Sequence, residues 1–283
     1  MAMNRSPIAS GLLGDTAARD YSQKLKRFNA FAAPELREAI ASLALKPGMR
    51  VLDAGCGTGE ALGWFAAEVS SLGLVIGIDL ATAHVKAAHA IAPGDGALVL
   101  QANLMDAPLA RASFDLVWSA NVINHLRAPL AGIDALLALL HPGGSIALGQ
   151  SSLVPDMYFA WDARLERLVN EAVRQYYRDR YQLDERELTD IRAVVGLLRK
   201  AGLSHVRART FMIERTAPLR PEDEDYLLEA IFRDTWNSRL QPYLSGSDYE
   251  ELIRLCDPRH QEFALHRPDF HFLQSFTLVV GQT

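Results

Sequence analysis

Two carboxylates frame a glycine turn early in the chain. In Val51-Leu52-Asp53-Ala54-Gly55-Cys56-Gly57-Thr58-Gly59-Glu60 a short aliphatic run breaks into alternating glycines, with Asp53 before them and Glu60 after. Leu62, Trp64 and Phe65 follow at once with helical spacing. The pattern predicts strand, tight turn, then helix. Glycines there take backbone angles that a Cβ forbids and let a ligand lie against the main chain. The turn also aims a helix N-terminus, with its free N–H groups, at whatever is bound.

Spacing separates the two ligand classes that use such a turn. The dinucleotide fingerprint G-x-G-x-x-G seats a pyrophosphate on the helix N-terminus. Here the spacing is G-x-G-x-G, and Glu60 stands where the third fingerprint glycine belongs. A carboxylate on each side of the loop repels a pyrophosphate and suits a cation.

With its acid, one residue and G-x-G-x-G, the stretch Asp53 to Gly59 resembles the first motif of class I S-adenosylmethionine-dependent methyltransferases. Later segments match the same family in order. Asp79 ends a second apolar strand (Leu74 to Asp79), where the family's acid hydrogen-bonds the ribose hydroxyls; Leu80 follows it. A carboxylate accepting two O–H bonds explains the choice of an acid. Asn103 and Leu104 follow the third strand, where the family reads adenine; Asp is frequent at the Asn103 position, and Asn accepts without the charge. Ser119-Ala120-Asn121 ends the fourth strand beside the methionine moiety, and Leu140-His141-Pro142-Gly143-Gly144 matches the leader into the fifth. The resemblance covers residues 35–150 well and implies S-adenosyl-L-methionine as cofactor, with S-adenosylhomocysteine as product. The implied cofactor-binding residues are Asp53, Gly55, Gly57, Asp79, Leu80, Asn103, Leu104 and Asn121. Some small-molecule members carry a histidine after the fourth strand that deprotonates the acceptor, and His125 stands there as the candidate base. Imidazole suits that task near neutral pH. The alternative is that His125 hydrogen-bonds a loop backbone.

The elements that must position these residues alternate. Strands at the short run Val51-Leu52 and over Leu74–Asp79, Ala97–Gln101, Phe114–Ala120 and Ser145–Leu148 are separated by helical patterns, the last of which runs to a stop at His141–Gly144. Continuous apolar strands alternating with helices predict an α/β, doubly wound, mostly parallel seven-stranded sheet. Pro34 opens a helix with Leu36, Ile40 and Leu43 on one face. Residues 1–45 are expected to place helices over the cofactor site, and 46–151, 187–216 and 269–283 to build the core. Residues 152–186 and 217–268 are expected to be inserted helical lid segments. One long helix is expected over Leu153–Tyr181, with Tyr158, Phe159, Trp161, Tyr176, Tyr177 and Tyr181 packing in the core or lining a pocket. The run Glu222-Asp223-Glu224-Asp225 after Pro221 suits a helix first turn. Asp115, just before a buried strand core, reads as structural.

Composition bounds the partners. The chain has 283 residues, 49% of them hydrophobic and 22% charged, as in an ordinary soluble domain with a sizeable core. A net charge of -5 without any basic tract argues against a nucleic-acid partner. No apolar run approaches the ~20 residues that span a bilayer. Met1–Leu13 has no apolar core of the signal-peptide kind, and Cys56 and Cys256 lie far apart, so a cytoplasmic location without disulfides is expected. His260, His266 and His271 lack metal-ligand spacing, so no metal is expected. The function expected is methyl transfer to a small-molecule O, N or C acceptor. Two other classes share the strand–turn–helix: an NAD-dependent oxidoreductase, which the glycine spacing disfavours, and a protein that holds the cofactor without turnover. Oligomeric state and acceptor are not legible.

Overall fold

A computed structural model of the chain describes residues 15–152, 162–182 and 190–283. Seven strands form one sheet in the order β3-β2-β1-β4-β5-β7-β6. They are β1 (Arg50–Ala54), β2 (Leu74–Asp79), β3 (Ala97–Gln101), β4 (Phe114–Ala120), β5 (Leu140–Ser151), β6 (Ser204–Thr216) and β7 (His271–Gln282). The first five run parallel, and β7 inserts antiparallel between β5 and β6. The order reverses at β1, which pairs with β2 on one side and β4 on the other. A crevice forms at the carboxyl ends of strands where an order reverses so.

Helices cover both faces. On one lie α1 (Ser22–Phe31), α2 (Ala33–Ala41) and α3 (Glu60–Val69); the other carries α5 (Pro129–Leu137) and α7 (Asp190–Lys200), while α4 (Thr82–Ile91) follows β2. Two cores result: Val51, Phe65, Trp118 and Phe276 belong to the first, and Leu52, Val117, Ile146 and Val279 to the second. Each fully buried aliphatic or aromatic side chain contributes about 1.5–3 kcal/mol by leaving water. Gly59 caps α3 with a left-handed φ of 89°, and a Cβ there would stand 2.9 Å from the Ala88 backbone, so α3 and α4 meet only over a glycine.

A helical cap lies over the first core. It consists of α6 (Ala163–Tyr181), α8 (Pro221–Asp225), a π-helical stretch (Tyr226–Trp236), α9 (Asn237–Leu240) and α10 (Gly246–Cys256). Ion pairs fasten it. Lys24 of α1 reaches Asp234 at 2.9 Å and Thr235 Oγ1 at 3.0 Å, and Arg27 reaches Asp225 at 2.9 Å. Arg164 binds Asp248 and Glu251, joining α6 to α10. Within the expected acidic first turn of α8, Asp223 is buried and held by Arg215 and Arg220, and Arg215 also grips Glu35.

Three elements differ from expectation. Strand β5 begins at Leu140 and not at Ser145, because Phe114 pairs with Leu140 and Leu116 with Ser145. His141–Gly144 therefore form a bulge within the strand, where a helix stop was expected. Helix α6 starts at Ala163, where the Asp162 carboxylate accepts the Leu165 N–H at 3.2 Å; residues 153–161, with Tyr158, Phe159 and Trp161, lie outside the described residues. The helix expected to open at Glu222 passes through a π-helix, and the Thr235 hydroxyl donates to the Ala230 carbonyl five residues back at 2.8 Å. Asp115 accepts from Arg50 N–H at 2.7 Å and meets His141 at 2.7 Å, at the sheet's amino edge, far from the glycine turn.

Candidate active site

The carboxyl ends of β1, β2 and β4 bring the expected residues to one edge. Asp53 ends β1 on the first-core face and is 3% exposed. Burial, and after it the charges of Asp79 and Glu60, push its pKa up to about 8; no hydrogen bond among the described residues opposes them. Burying a carboxylate without a partner is costly. A cation brought to Asp53 relieves that cost.

Asp79 closes the turn from the β2 side. Its Oδ2 accepts the Gly57 N–H at 2.9 Å, and its Oδ1 accepts the Ala81 N–H at 2.9 Å. His84 Nδ1 stands 3.2 Å from the same Oδ1, and the Tyr21 N–H points at His84 Nε2 at 3.4 Å. Those partners assign the proton to Nδ1. A carboxylate has about four acceptor sites and three are taken, so Asp79 keeps capacity for about one hydroxyl donor. Leu25 of α1 lies over the loop, 3.1 Å from where a Gly57 Cβ would be; Gly57 itself has φ 54°. Glu60 is held by Asn29 and Thr58, each at 2.6 Å.

The remaining expected residues line the neighbouring strand ends. Leu80 is half-buried against the second core, and Leu104 is buried. Asn103 Oδ1 accepts the Met105 N–H at 3.0 Å, which shapes the turn after β3. Asn121 adopts a left-handed φ of 57°, and its Oδ1 accepts the Ser151 N–H at 2.6 Å. Its side chain thus ties the end of β4 to the end of β5.

His125 sits in a single 3-10 turn, Ile123–His125, directly after β4. Its Nδ1 is 2.7 Å from Asp15 Oδ2. Arg19 ion-pairs with the same carboxylate, lies 4.8 Å from the Tyr21 ring centroid and reaches the Tyr181 hydroxyl at 3.4 Å. Burial would raise the Asp15 pKa, but His125 and Arg19 outweigh it and hold the group below the usual value. Residues 15–21 thus cross the carboxyl edge as a strap, pinned also where Thr82 N–H donates to the Ala17 carbonyl at 2.9 Å. Sequence reasoning missed Asp15 and Arg19. Their four-residue spacing was visible, but nothing local pointed to His125.

The residues present suit S-adenosylmethionine. The buried Asp53 carboxylate, without a hydrogen bond among the described residues, would be satisfied by an ammonium; the glycine turn would admit a ligand against the backbone, and Asp79 would accept from a ribose hydroxyl. Comparisons agree. Residues 52–148 match a family model described as a methyltransferase domain. Over 225 residues the chain is 30% identical to the nocamycin O-methyltransferase of Saccharothrix syringae, covering 75% of this chain and 77% of that one. The chain belongs to the S-adenosylmethionine-dependent methyltransferase family. It is also 33% identical over 129 residues to the 27-O-demethylrifamycin SV methyltransferase of Amycolatopsis mediterranei (strain S699), a stretch that is 44% of this chain and spans only about half, 47%, of that relative. In fold it resembles the YcgJ protein of Bacillus subtilis, with TM-score 0.52, 16% identity and coverage of 89% of this chain and 98% of that one. No helix among the described residues is long and apolar enough to cross a membrane.

Proposed function

We propose that this methyltransferase-family protein methylates a hydroxyl oxygen of a small, largely apolar acceptor, with His125 as the general base and Asp15 as its positioning partner. The observation that carries the reading is the 2.7 Å contact between the two side chains at the edge of the cofactor crevice. The name of the Saccharothrix syringae relative supports oxygen as the atom methylated.

When bound, the cofactor supplies a methyl group already activated by its sulfonium. The chain must then orient the acceptor, remove one proton and keep water out. With Nδ1–H directed at Asp15, the His125 Nε2 lone pair is left to accept the hydroxyl proton. The Asp15 carboxylate stabilises the imidazolium that results, as a base-orienting third group does elsewhere. Asp53 pairs with the ammonium, Gly55 and Gly57 let the ligand approach the backbone, and Asp79 receives one hydroxyl of the ribose. Leu80, Asn103 and Leu104 border the adenine, and Asn121 holds the end of β4 beside the methionine moiety. Tyr21, Tyr177 and Tyr181, on the strap and the cap, supply aromatic cover for the acceptor.

The test is product analysis by mass spectrometry with S-adenosylmethionine and three acceptor sets: phenols, amines and carbon acids. Methylated phenols formed by the wild type and lost in His125→Ala, with cofactor affinity retained, are expected. Turnover confined to amines, or a fully active His125→Ala enzyme, sinks the reading.

A further inference from the structure

Among the described residues, four buried side-chain atoms have no hydrogen-bond partner: Asn124 Oδ1, Gln150 Oε1, Ser151 Oγ and Gln274 Oε1. Buried polar atoms are nearly always satisfied, and each exception calls for an explanation. These four share one edge. Gln150 and Ser151 end β5, Gln274 lies on the paired stretch of β7, and Asn124 is in the turn that carries His125. Chance scatter through two cores does not gather its exceptions at the carboxyl edge.

Two of the four share a face. Alternation along β5 puts Ala147 and Ser151 on the cap side, with Ile146, Leu148 and Gln150 on the other. On β7 the cap side carries Phe272, Gln274 and Phe276. Ser151 pairs in register with Phe276, so Gln274 is its diagonal neighbour, roughly 7–8 Å away. The Gln274 amide is fixed, because its Nε2 donates to the Ser152 carbonyl at 2.9 Å and the amide group lies against the buried Tyr226 hydroxyl. Its carbonyl oxygen is therefore left buried without a partner. Ser151 donates its own N–H to Asn121, which places it at the end of β4, beside the expected methyl-transfer position.

We propose that Ser151 and Gln274 form the polar end of the acceptor pocket and recognise a second hydroxyl of the acceptor, one that is not methylated. Gln274 Oε1 only accepts, and Ser151 Oγ both donates and accepts, so the complementary group is a hydroxyl that donates to one and receives from the other. Tyr226 and Phe276 flank the pair, so the ligand class is a ring compound with at least two hydroxyls, largely apolar elsewhere. The assignment rests on the hydroxyl-acceptor reading above.

Calorimetry tests it on the full chain saturated with S-adenosylhomocysteine, using naphthoresorcinol, a naphthalene diol, against α-naphthol, which lacks one hydroxyl. Wild type is expected to bind the diol at least about tenfold more tightly. In Ser151→Ala and Gln274→Met that preference falls to under about threefold, while S-adenosylhomocysteine affinity stays within about twofold. If Gln274→Met fails to fold, having lost its Ser152 contact, Ser151→Ala decides alone. No preference in wild type, a preference that survives Ser151→Ala, or binding of neither naphthol beside intact S-adenosylhomocysteine binding each overturns the proposal. The underlying reading fails separately, by loss of S-adenosylhomocysteine binding or by turnover of amines only.

Discussion

Asp15 Oδ2 and His125 Nδ1 meet at 2.7 Å although 110 residues separate them in the chain. On the proposed reading, the contact gives the strap of residues 15–21 a chemical role in addition to covering the site. Replacing His125 by Ala is expected to lower turnover by roughly 10²–10⁴-fold with cofactor affinity intact. Asp15→Asn keeps the shape but loses the charge that stabilises the imidazolium, so a smaller fall in kcat with little change in KM is expected. Steady-state kinetics across pH measure both. An Asp15→Asn enzyme with wild-type kcat would reduce the contact to a structural one.

With Asp53 paired to the ammonium as proposed, cofactor binding is expected to be a proton-linked event. Its pKa of about 8 in the folded protein, raised first by burial, leaves it largely protonated at neutral pH, and an ammonium placed beside it favours the carboxylate. Binding of S-adenosylhomocysteine near pH 7 should therefore release close to one proton. Calorimetry in buffers of different ionisation enthalpy reads that number, and Asp53→Asn should bring it to zero while weakening binding. For stability the sign follows from the raised acid pKa. Between the ordinary value of 3.8 and about 8 the folded state holds the extra proton. Folding stability should therefore fall as pH rises through that window, by up to about 1.4 kcal/mol per pH unit from this group. Asp53→Asn should flatten the slope in denaturant titrations, and an unchanged slope would contradict the assignment.

The glycine turn and its acids were legible because the chemistry is local. Asp53 to Glu60 lie within eight positions of sequence, and each of the five parallel strands announces itself by a continuous apolar run. Asp79 was legible through strand length, since the acid ends the run. The Asp15–His125 contact was not, because a tertiary meeting of two polar residues leaves no periodicity. Nor was the start of β5: Pro142, Gly143 and Gly144 carry the same composition in a strand bulge as in a helix stop, and only pairing with Phe114 and Leu116 distinguishes them. The π-helix was hidden too, because its apolar positions satisfy an α-helical period nearly as well. Gln274 did leave a trace, a polar residue at an inward position between Phe272 and Phe276.

Asp79 holds the turn and, on the proposed reading, also the ligand, so its removal should show in two readouts. Unpaired ligand hydroxyls cost about 1–3 kcal/mol, so Asp79→Ala should weaken S-adenosylhomocysteine binding by roughly ten- to a hundred-fold. The same change strips the Gly57 and Ala81 N–H groups of their acceptor, so the melting temperature should fall as well. Asp79→Asn keeps an acceptor oxygen and should sit between wild type and Ala in both. Equal affinities for wild type and Asp79→Ala would remove this residue from the cofactor site.

Two of the ties between the cap and α1 are ion pairs weak enough to open, while Phe31 of α1 also stacks on Tyr226 at 4.4 Å. Lys24–Asp234 and Arg27–Asp225 are each partly exposed, and such pairs contribute about 0–1 kcal/mol and are screened by salt. The π-helix between them spends its register on a Thr235–Ala230 bond, and π-helical turns concentrate at functional positions. On the proposed acceptor site, entry and product release are expected to pass Tyr177, Tyr226 and the strap through movement of the cap. Hydrogen exchange over Ala163–Tyr181 and Pro221–Leu240 should therefore be faster in the free protein than with S-adenosylhomocysteine plus acceptor. Lys24→Met should speed it further in the free state, and raised salt should mimic that variant. Exchange that is equally slow in both segments with and without ligands would mean that the cap is fixed and that the acceptor enters elsewhere.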